Sequence, residues 1–158
     1  MLVVQTIMPN NNRDSDLQIR YQIYQFFAAQ GQPPSSQVIA ERLRMTPEDV
    51  DAAFHRLHDR HMIFLDITTG QIRMANPFSA VPTNYRVRAG EKVWWANCAW
   101  DTLGIAAALN LDVDIEANHP GDGQTLSFGV INVVVTEPDW LVYFPLPCQK
   151  WYDDLVYT

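Results

Sequence analysis

Apolar residues near the start of the chain recur at helical spacing. In residues 16–29 the apolar and aromatic side chains mostly follow a step of three or four, which predicts an amphipathic helix. A second helix is predicted to open at Ser35-Ser36, after a break rich in glycine and proline. A third is predicted after Thr46, because Pro47 suits the first helical position and the acids that follow suit the helix dipole.

The hydrophobic period changes after the third helix. Residues 63–67 and 72–74 flank a turn containing Gly70 and predict a hairpin. Three helices followed by a hairpin indicate a winged helix-turn-helix-like helical subdomain, which we assign to residues 1–75. A DNA-reading third helix should be basic, but acids lie among its arginines, Arg56 and Arg60. We therefore expect this subdomain to pack on the rest of the chain and shield a site, without binding specific DNA.

The second half of the chain alternates apolar and polar residues at strand spacing. A proline-containing linker at residues 76–83 precedes the first strand. We predict strands at residues 85–88, 93–96, 113–115, 125–128, 130–136 and 141–144. The run at 130–136 is nearly all β-branched and is expected to be buried. Residues 76–158 thus form a mainly antiparallel sheet domain with a central helix ending near Leu109, and the class is α+β.

The residues whose side chains are best suited to catalysis lie where the strand at 93–96 passes into that helix. Asn97 is a suitable N-cap, which would place Cys98 at the first helical position. Cys98 and Asp101 would then share one face of the first turn, and the helix start would lower the pKa of the thiol. The expected aromatic wall of this site is formed by Trp94, Trp95 and Trp100. The alternative from the residues alone is a buried cysteine that packs as a small apolar side chain.

Composition and charge exclude several classes of protein. The chain has 158 residues, of which 47% are hydrophobic and 18% charged, so we expect a globular protein. A net charge of −7 gives no basic footprint for non-specific DNA binding. No apolar run reaches the roughly 18 residues of a membrane helix, and the first residues lack the features of a signal peptide. With 2 cysteines in the whole chain, a reduced, cytoplasmic setting without a membrane partner is expected.

Histidines and cysteines give no pattern of their own. They do not fall at zinc-ligand spacing, so neither a zinc site nor a cofactor is expected. His55, His58 and His61 recur at steps of three on the third helix and are expected on a solvated face. His119 could activate Cys98 only if the fold brought the two side chains together.

A resemblance to a known family is carried by the stretch WANCAWDTLGI and by the lead-in NPFSAVPTNYRV before it. These segments are similar to those of the organomercurial (alkylmercury) lyases, and the similarity runs from about Pro34 to the last residue. The resemblance implies protonolysis of carbon–mercury bonds, which gives a hydrocarbon and Hg²⁺ that small thiols later remove. It also implies that Cys98 takes the organomercurial and that Asp101 shuttles the proton.

The second cysteine of the family has no counterpart in this sequence. In the family it follows a segment similar to residues 151–158, which are the last residues here. The resemblance therefore implies a shortened or divergent member with full or impaired activity, in which Cys148 is the candidate second thiol. Two other functions stay open: a non-catalytic, thiol-based binder of metals or soft electrophiles, and a winged-helix regulator that responds to metals.

Overall fold

The structure is a computed structural model that describes residues 11–119, 121–144 and 146–152. Within them the chain forms four α-helices and eight β-strands, which confirms the α+β class. The chain divides into two compact units, Met1–Ala75 and Asn76–Thr158.

Three helices form the first unit: α1 (Asn11–Gln30), α2 (Ser36–Leu43) and α3 (Pro47–Asp59). The helix α1 begins earlier than predicted from its apolar residues. It buries Ile19, Ile23 and Phe27 completely, and their spacing of four places them on one face. Both later helices begin as predicted, because the side chains of Ser35 and Thr46 accept capping hydrogen bonds from backbone N–H groups.

A hairpin of two short strands follows, β1 (Phe64–Leu65) and β2 (Ile72–Ala75), paired antiparallel. Its turn is closed by Asp66, whose Oδ1 accepts hydrogen bonds from the N–H groups of Thr68 and Thr69 at 3.0 and 2.8 Å. The predicted order of three helices and a hairpin is therefore present. Its identification as a winged helix stays a prediction.

A buried carboxylate joins α1 to α3. Asp16 is only 1% exposed, and Arg56 donates to it through Nε at 3.1 Å and Nη2 at 2.6 Å. Arg60 adds a further contact, from Nη1 to Oδ2 at 3.3 Å. The two arginines that a DNA-reading helix would have presented to a phosphate backbone are thus engaged within the unit.

The second unit is built on an antiparallel sheet. Its strands are β3 (Phe78–Ser79), β4 (Tyr85–Ala89), β5 (Lys92–Ala96), β6 (Val113–Asn118), β7 (Thr125–Ile131) and β8 (Val134–Val135). Their order in the sheet is β3-β5-β4-β6-β7-β8, and every neighbouring pair is antiparallel.

The helix α4 (Ala99–Leu109) packs against β4, β5 and β6 on one face of this sheet. On that face Val87 pairs with both Trp94 and Ile115, and all three are buried. The opposite face carries ion pairs between β4 and β6 and is exposed. The period-two pattern of the sequence therefore separates a core face, which carries α4, from a polar one.

Two predicted strands are wrong. The run at 130–136 is not one buried strand, because Asn132 and Val133 take left-handed φ angles of 50° and 66°. They form the two-residue turn between β7 and β8, where left-handed backbone matches the strand twist. Val133 is consequently 84% exposed. Residues 141–144, all of which the structure describes, form no strand.

Candidate active site

The site predicted from sequence lies between the end of β5 and the start of α4. Cys98 is the N-cap residue, with φ −147° and ψ 177°, and the helix begins at Ala99. The prediction that Asn97 caps the helix and that Cys98 is its first residue is therefore wrong by one position. Cys98 and Asp101 nevertheless lie close together, at the N-cap and in the first turn of α4, so that each side chain shifts the pKa of the other.

The predicted lowering of the Cys98 pKa is also wrong. Burial, followed by the negative charge of Asp101, raises the pKa of the Cys98 thiol to about 11. The backbone N–H groups of Asp101 and Trp100 lower it, as expected at a helix start, but their effect is the smaller one. Cys98 is therefore a protonated thiol near neutral pH.

Asp101 is affected in the same direction. Burial raises the pKa of its carboxyl group above the usual value, against hydrogen bonds from Asn97 and Cys98 that lower it. An acid whose pKa is raised keeps its proton to a higher pH than an exposed aspartic acid does. Cys98 and Asp101 are thus two neighbouring acids whose pKa values are both raised.

Asn97 connects three parts of the second unit. Its Nδ2 lies 3.0 Å from Asn76 Oδ1, 3.3 Å from the Phe78 carbonyl oxygen and 3.2 Å from Asp101 Oδ2. These groups come from the segment before β3, from β3 itself and from the first turn of α4. Sequence reasoning missed this role, because the spacing of Asn97 from Asn76 carries no local signal.

Tyr85 is a second residue that sequence reasoning did not assign to the site. Burial raises the pKa of its hydroxyl group, and the charge of Cys98 raises it further. Thr83 joins the start of β4 to the end of β5, since its hydroxyl donates to the Ala96 carbonyl oxygen at 2.6 Å and accepts from the Tyr85 N–H at 3.1 Å. The Tyr85 side chain therefore belongs to the electrostatic environment of the thiol.

The three tryptophans do not form one wall. Trp94 is 1% exposed and lies on the core face of β5. Trp95 is the next residue of the same strand, so its side chain points to the opposite face, where it pairs with Arg86. Trp100 is 56% exposed and contacts Phe144 edge-on, with ring centroids 6.4 Å apart. Phe144 in turn stacks on Trp151 at 5.2 Å, which brings an aromatic segment to the first turn of α4.

The two other candidate side chains lie elsewhere or are not described. Cys148 begins a short 3₁₀ helix, Cys148–Lys150, but its side chain lies outside the described residues, so its role as second thiol stays a prediction. His119 Nδ1 lies 2.9 Å from Asp122 Oδ1 in the turn between β6 and β7. Its described partners are thus in its own turn.

Neither a metal cluster nor a membrane helix is found in the part of the chain that the structure describes. No group of three or more His, Cys, Asp or Glu side chains there could hold a metal ion. No described helix is both long and apolar enough to cross a bilayer.

Comparisons with known proteins point to one family. A family model described as alkylmercury lyase matches residues 78–157. The fold is similar to a crystal structure of the mercury-bound form of MerB2, with a TM-score of 0.62 and 26% sequence identity. The similarity covers 79% of this chain and 61% of that one. No curated protein matches the chain.

Proposed function

Because the chain belongs to the alkylmercury lyase family, we propose that it cleaves the carbon–mercury bond of small organomercurials by protonolysis. The observation that carries the proposal is the position of Cys98 at the N-cap of α4 beside Asp101 in its first turn, with both pKa values raised. The pair combines a soft ligand for mercury with a group that can hold a proton beside it. We place the reaction in a reduced, cytoplasmic setting, where cysteines stay free.

In the capture step, mercury replaces the proton of the thiol. Mercury is a soft cation and thiolate is a soft ligand, so an R–Hg⁺ group binds sulfur in preference to oxygen donors. The S–H bond breaks as the S–Hg bond forms, and the released proton moves to Asp101. The closeness of the two side chains supports a direct transfer of that proton.

In the cleavage step, Asp101 acts as the general acid. The electron pair of the carbon–mercury bond takes the proton from the carboxyl group, the hydrocarbon leaves, and Hg²⁺ stays on sulfur. The burial that raises the pKa of Asp101 favours its protonated form until the carbon is in reach. A second thiolate on mercury weakens the carbon–mercury bond. This second thiolate comes from Cys148 or from a small thiol. A small thiol then removes the Hg²⁺ ion.

The experiment is a measurement of benzene released from phenylmercury, with and without an excess of small thiol. The parent protein should release benzene, and Cys98→Ser should release none because it lacks the sulfur ligand. Cys148→Ser distinguishes the source of the second thiolate: added thiol should restore any release that this variant loses. Stoichiometric capture of phenylmercury by the parent without benzene release under any condition would instead support a non-catalytic, thiol-based binder.

A further inference from the structure

The side chain of Asn97 has an orientation that its neighbours impose. All three groups around its Nδ2 are acceptors: the Asn76 Oδ1, the Phe78 carbonyl and the Asp101 carboxyl group. The Phe78 carbonyl oxygen can only accept, so turning the amide over would place the Asn97 oxygen against it and lose that hydrogen bond. The N–H groups of Asn97 must therefore face these acceptors.

This arrangement leaves the other end of the amide unsatisfied. Asn97 Oδ1 is buried and has no hydrogen-bond partner in the described part of the chain. A buried acceptor without a partner costs stability, and an apolar side chain of similar size would avoid that cost. What the Asn97 amide contributes therefore comes from its N–H groups.

We propose that Asn97 is a positioning residue for the carbon–mercury cleavage proposed above: its amide fixes the Asp101 carboxyl group beside Cys98. One N–H of Asn97 donates to Asp101 Oδ2 at 3.2 Å, so the amide holds this carboxyl group through one of its two oxygens. The effect on catalysis rests on the proposed function, because it requires the cleavage reaction. The positioning of the carboxyl group itself is a property of the protein without substrate.

The anchoring of Asn97 on its far side makes this contact rigid. Asn76 lies in the segment before β3, and the Phe78 carbonyl belongs to β3, so the amide is bound to one side chain and one backbone group outside α4. An aspartate at a helix start can otherwise exchange between staggered rotamers. Proton transfer to carbon needs the acid within hydrogen-bonding reach, so rotamer exchange would slow cleavage without weakening the bond of mercury to sulfur.

The test compares Asn97→Leu and Asn97→Asp with the parent in single turnovers of phenylmercury. Leucine keeps the volume of the side chain, and aspartate keeps its shape but carries no amide donors. Both variants should capture one equivalent as the parent does, while benzene release falls by about 10- to 100-fold. The matched control is Asn118→Leu on the exposed end of β6, which should leave both steps unchanged. Undiminished release in both Asn97 variants, or an equal loss of capture and release, would overturn the proposal.

A measurement without turnover separates this proposal from the proposed function. Three-bond NMR couplings to the β protons of Asp101 should indicate a single rotamer in the parent and averaging in Asn97→Leu. That result supports the positioning role even if the parent releases no benzene, an outcome that would contradict only the proposed function. Averaged couplings in the parent would overturn the positioning role even if the parent is an active lyase.

Discussion

Two aspartates, one in each unit, are buried beside different kinds of side chain. Asp16 is almost fully enclosed and is bound by the guanidinium groups of Arg56 and Arg60. Asp101 is partly buried, accepts a hydrogen bond from the neutral amide of Asn97 and lies beside the Cys98 thiol. A carboxylate with two cationic partners is compensated and serves to join helices, whereas one bound to neutral groups keeps a raised pKa and stays available for proton transfer.

The surroundings of the two carboxyl groups differ in the same way. The partners of Asp16 come from a helix far along the chain, so the ion pairs hold α1 against α3. Around Asp101 the pKa values of Cys98 and Tyr85 are also raised, and Asn97 Oδ1 has no hydrogen-bond partner among the residues that the structure describes. Unfavourable polar interactions thus accumulate where we propose chemistry, as expected if that site has been shaped by reactivity and the Asp16 cluster by stability.

The largest effect on stability is expected from Asp16→Asn. The change removes the charge that binds two guanidinium groups, and the free energy of unfolding should fall by about 2 to 3 kcal/mol. Both arginines are partly exposed, so water will solvate them in part and keep the loss below that of a fully buried pair. Denaturant unfolding measures the loss, and a change below about 0.5 kcal/mol would contradict the structural role of Asp16.

The same substitution at Asp101 is the matched control. A carboxyl group whose pKa is raised by folding favours the folded state below its unfolded pKa and loses that advantage as the pH rises through the folded value. At neutral pH the buried carboxyl group therefore opposes folding. Asp101→Asn should accordingly leave the free energy of unfolding at pH 7 unchanged or slightly increased, unlike Asp16→Asn.

A smaller effect is expected in the pH dependence of Cys98 alkylation. The rate should rise with pH toward a midpoint of about 11, because burial and the charge of Asp101 disfavour the thiolate. In Asp101→Asn the midpoint should move to lower pH, since the negative neighbour is gone. Alkylation by iodoacetamide, followed by mass spectrometry of the Cys98 peptide, gives both curves. A parent midpoint at or below that of a free cysteine would contradict the account of this site.

We expect the protein not to bind specific DNA sequences. Arg56 and Arg60 are bound to Asp16, and the net charge of the chain is −7, so both features disfavour binding to a phosphate backbone. A mobility shift against a random-sequence library at moderate salt should select no motif. Sub-micromolar binding of a selected sequence would favour a regulatory protein and would mean that the Asp16 cluster opens on binding.

Elements with local signals could be predicted from the sequence. The third helix begins where Thr46 and Pro47 indicated, because capping depends on the residues next to the helix start. The hairpin of β4 and β5 was predictable for the same reason, since the alternation and the turn at Gly90 are local. The pairing of Cys98 with Asp101 also followed from short-range spacing, even though the cap was misplaced by one residue.

The remaining features depend on contacts that local patterns do not encode. Asn97 was predicted to cap the helix, but acceptors from the segment before β3 and from β3 engage its amide. The direction of the Cys98 pKa was wrong because burial outweighs the helix N-terminus, and burial is a property of the folded unit. The run at 130–136 was interpreted as one strand because valine in a left-handed turn is rare.

The most direct test of the central claim is single-turnover benzene release from phenylmercury by Asp101→Asn, with Asp16→Asn as the matched control. We expect both variants to capture one equivalent through Cys98. Release should fall at least about a hundredfold in Asp101→Asn, because its amide cannot deliver the proton to carbon. In Asp16→Asn, release per folded molecule should equal that of the parent. Undiminished release from Asp101→Asn would contradict the claim that this carboxyl group is the proton donor.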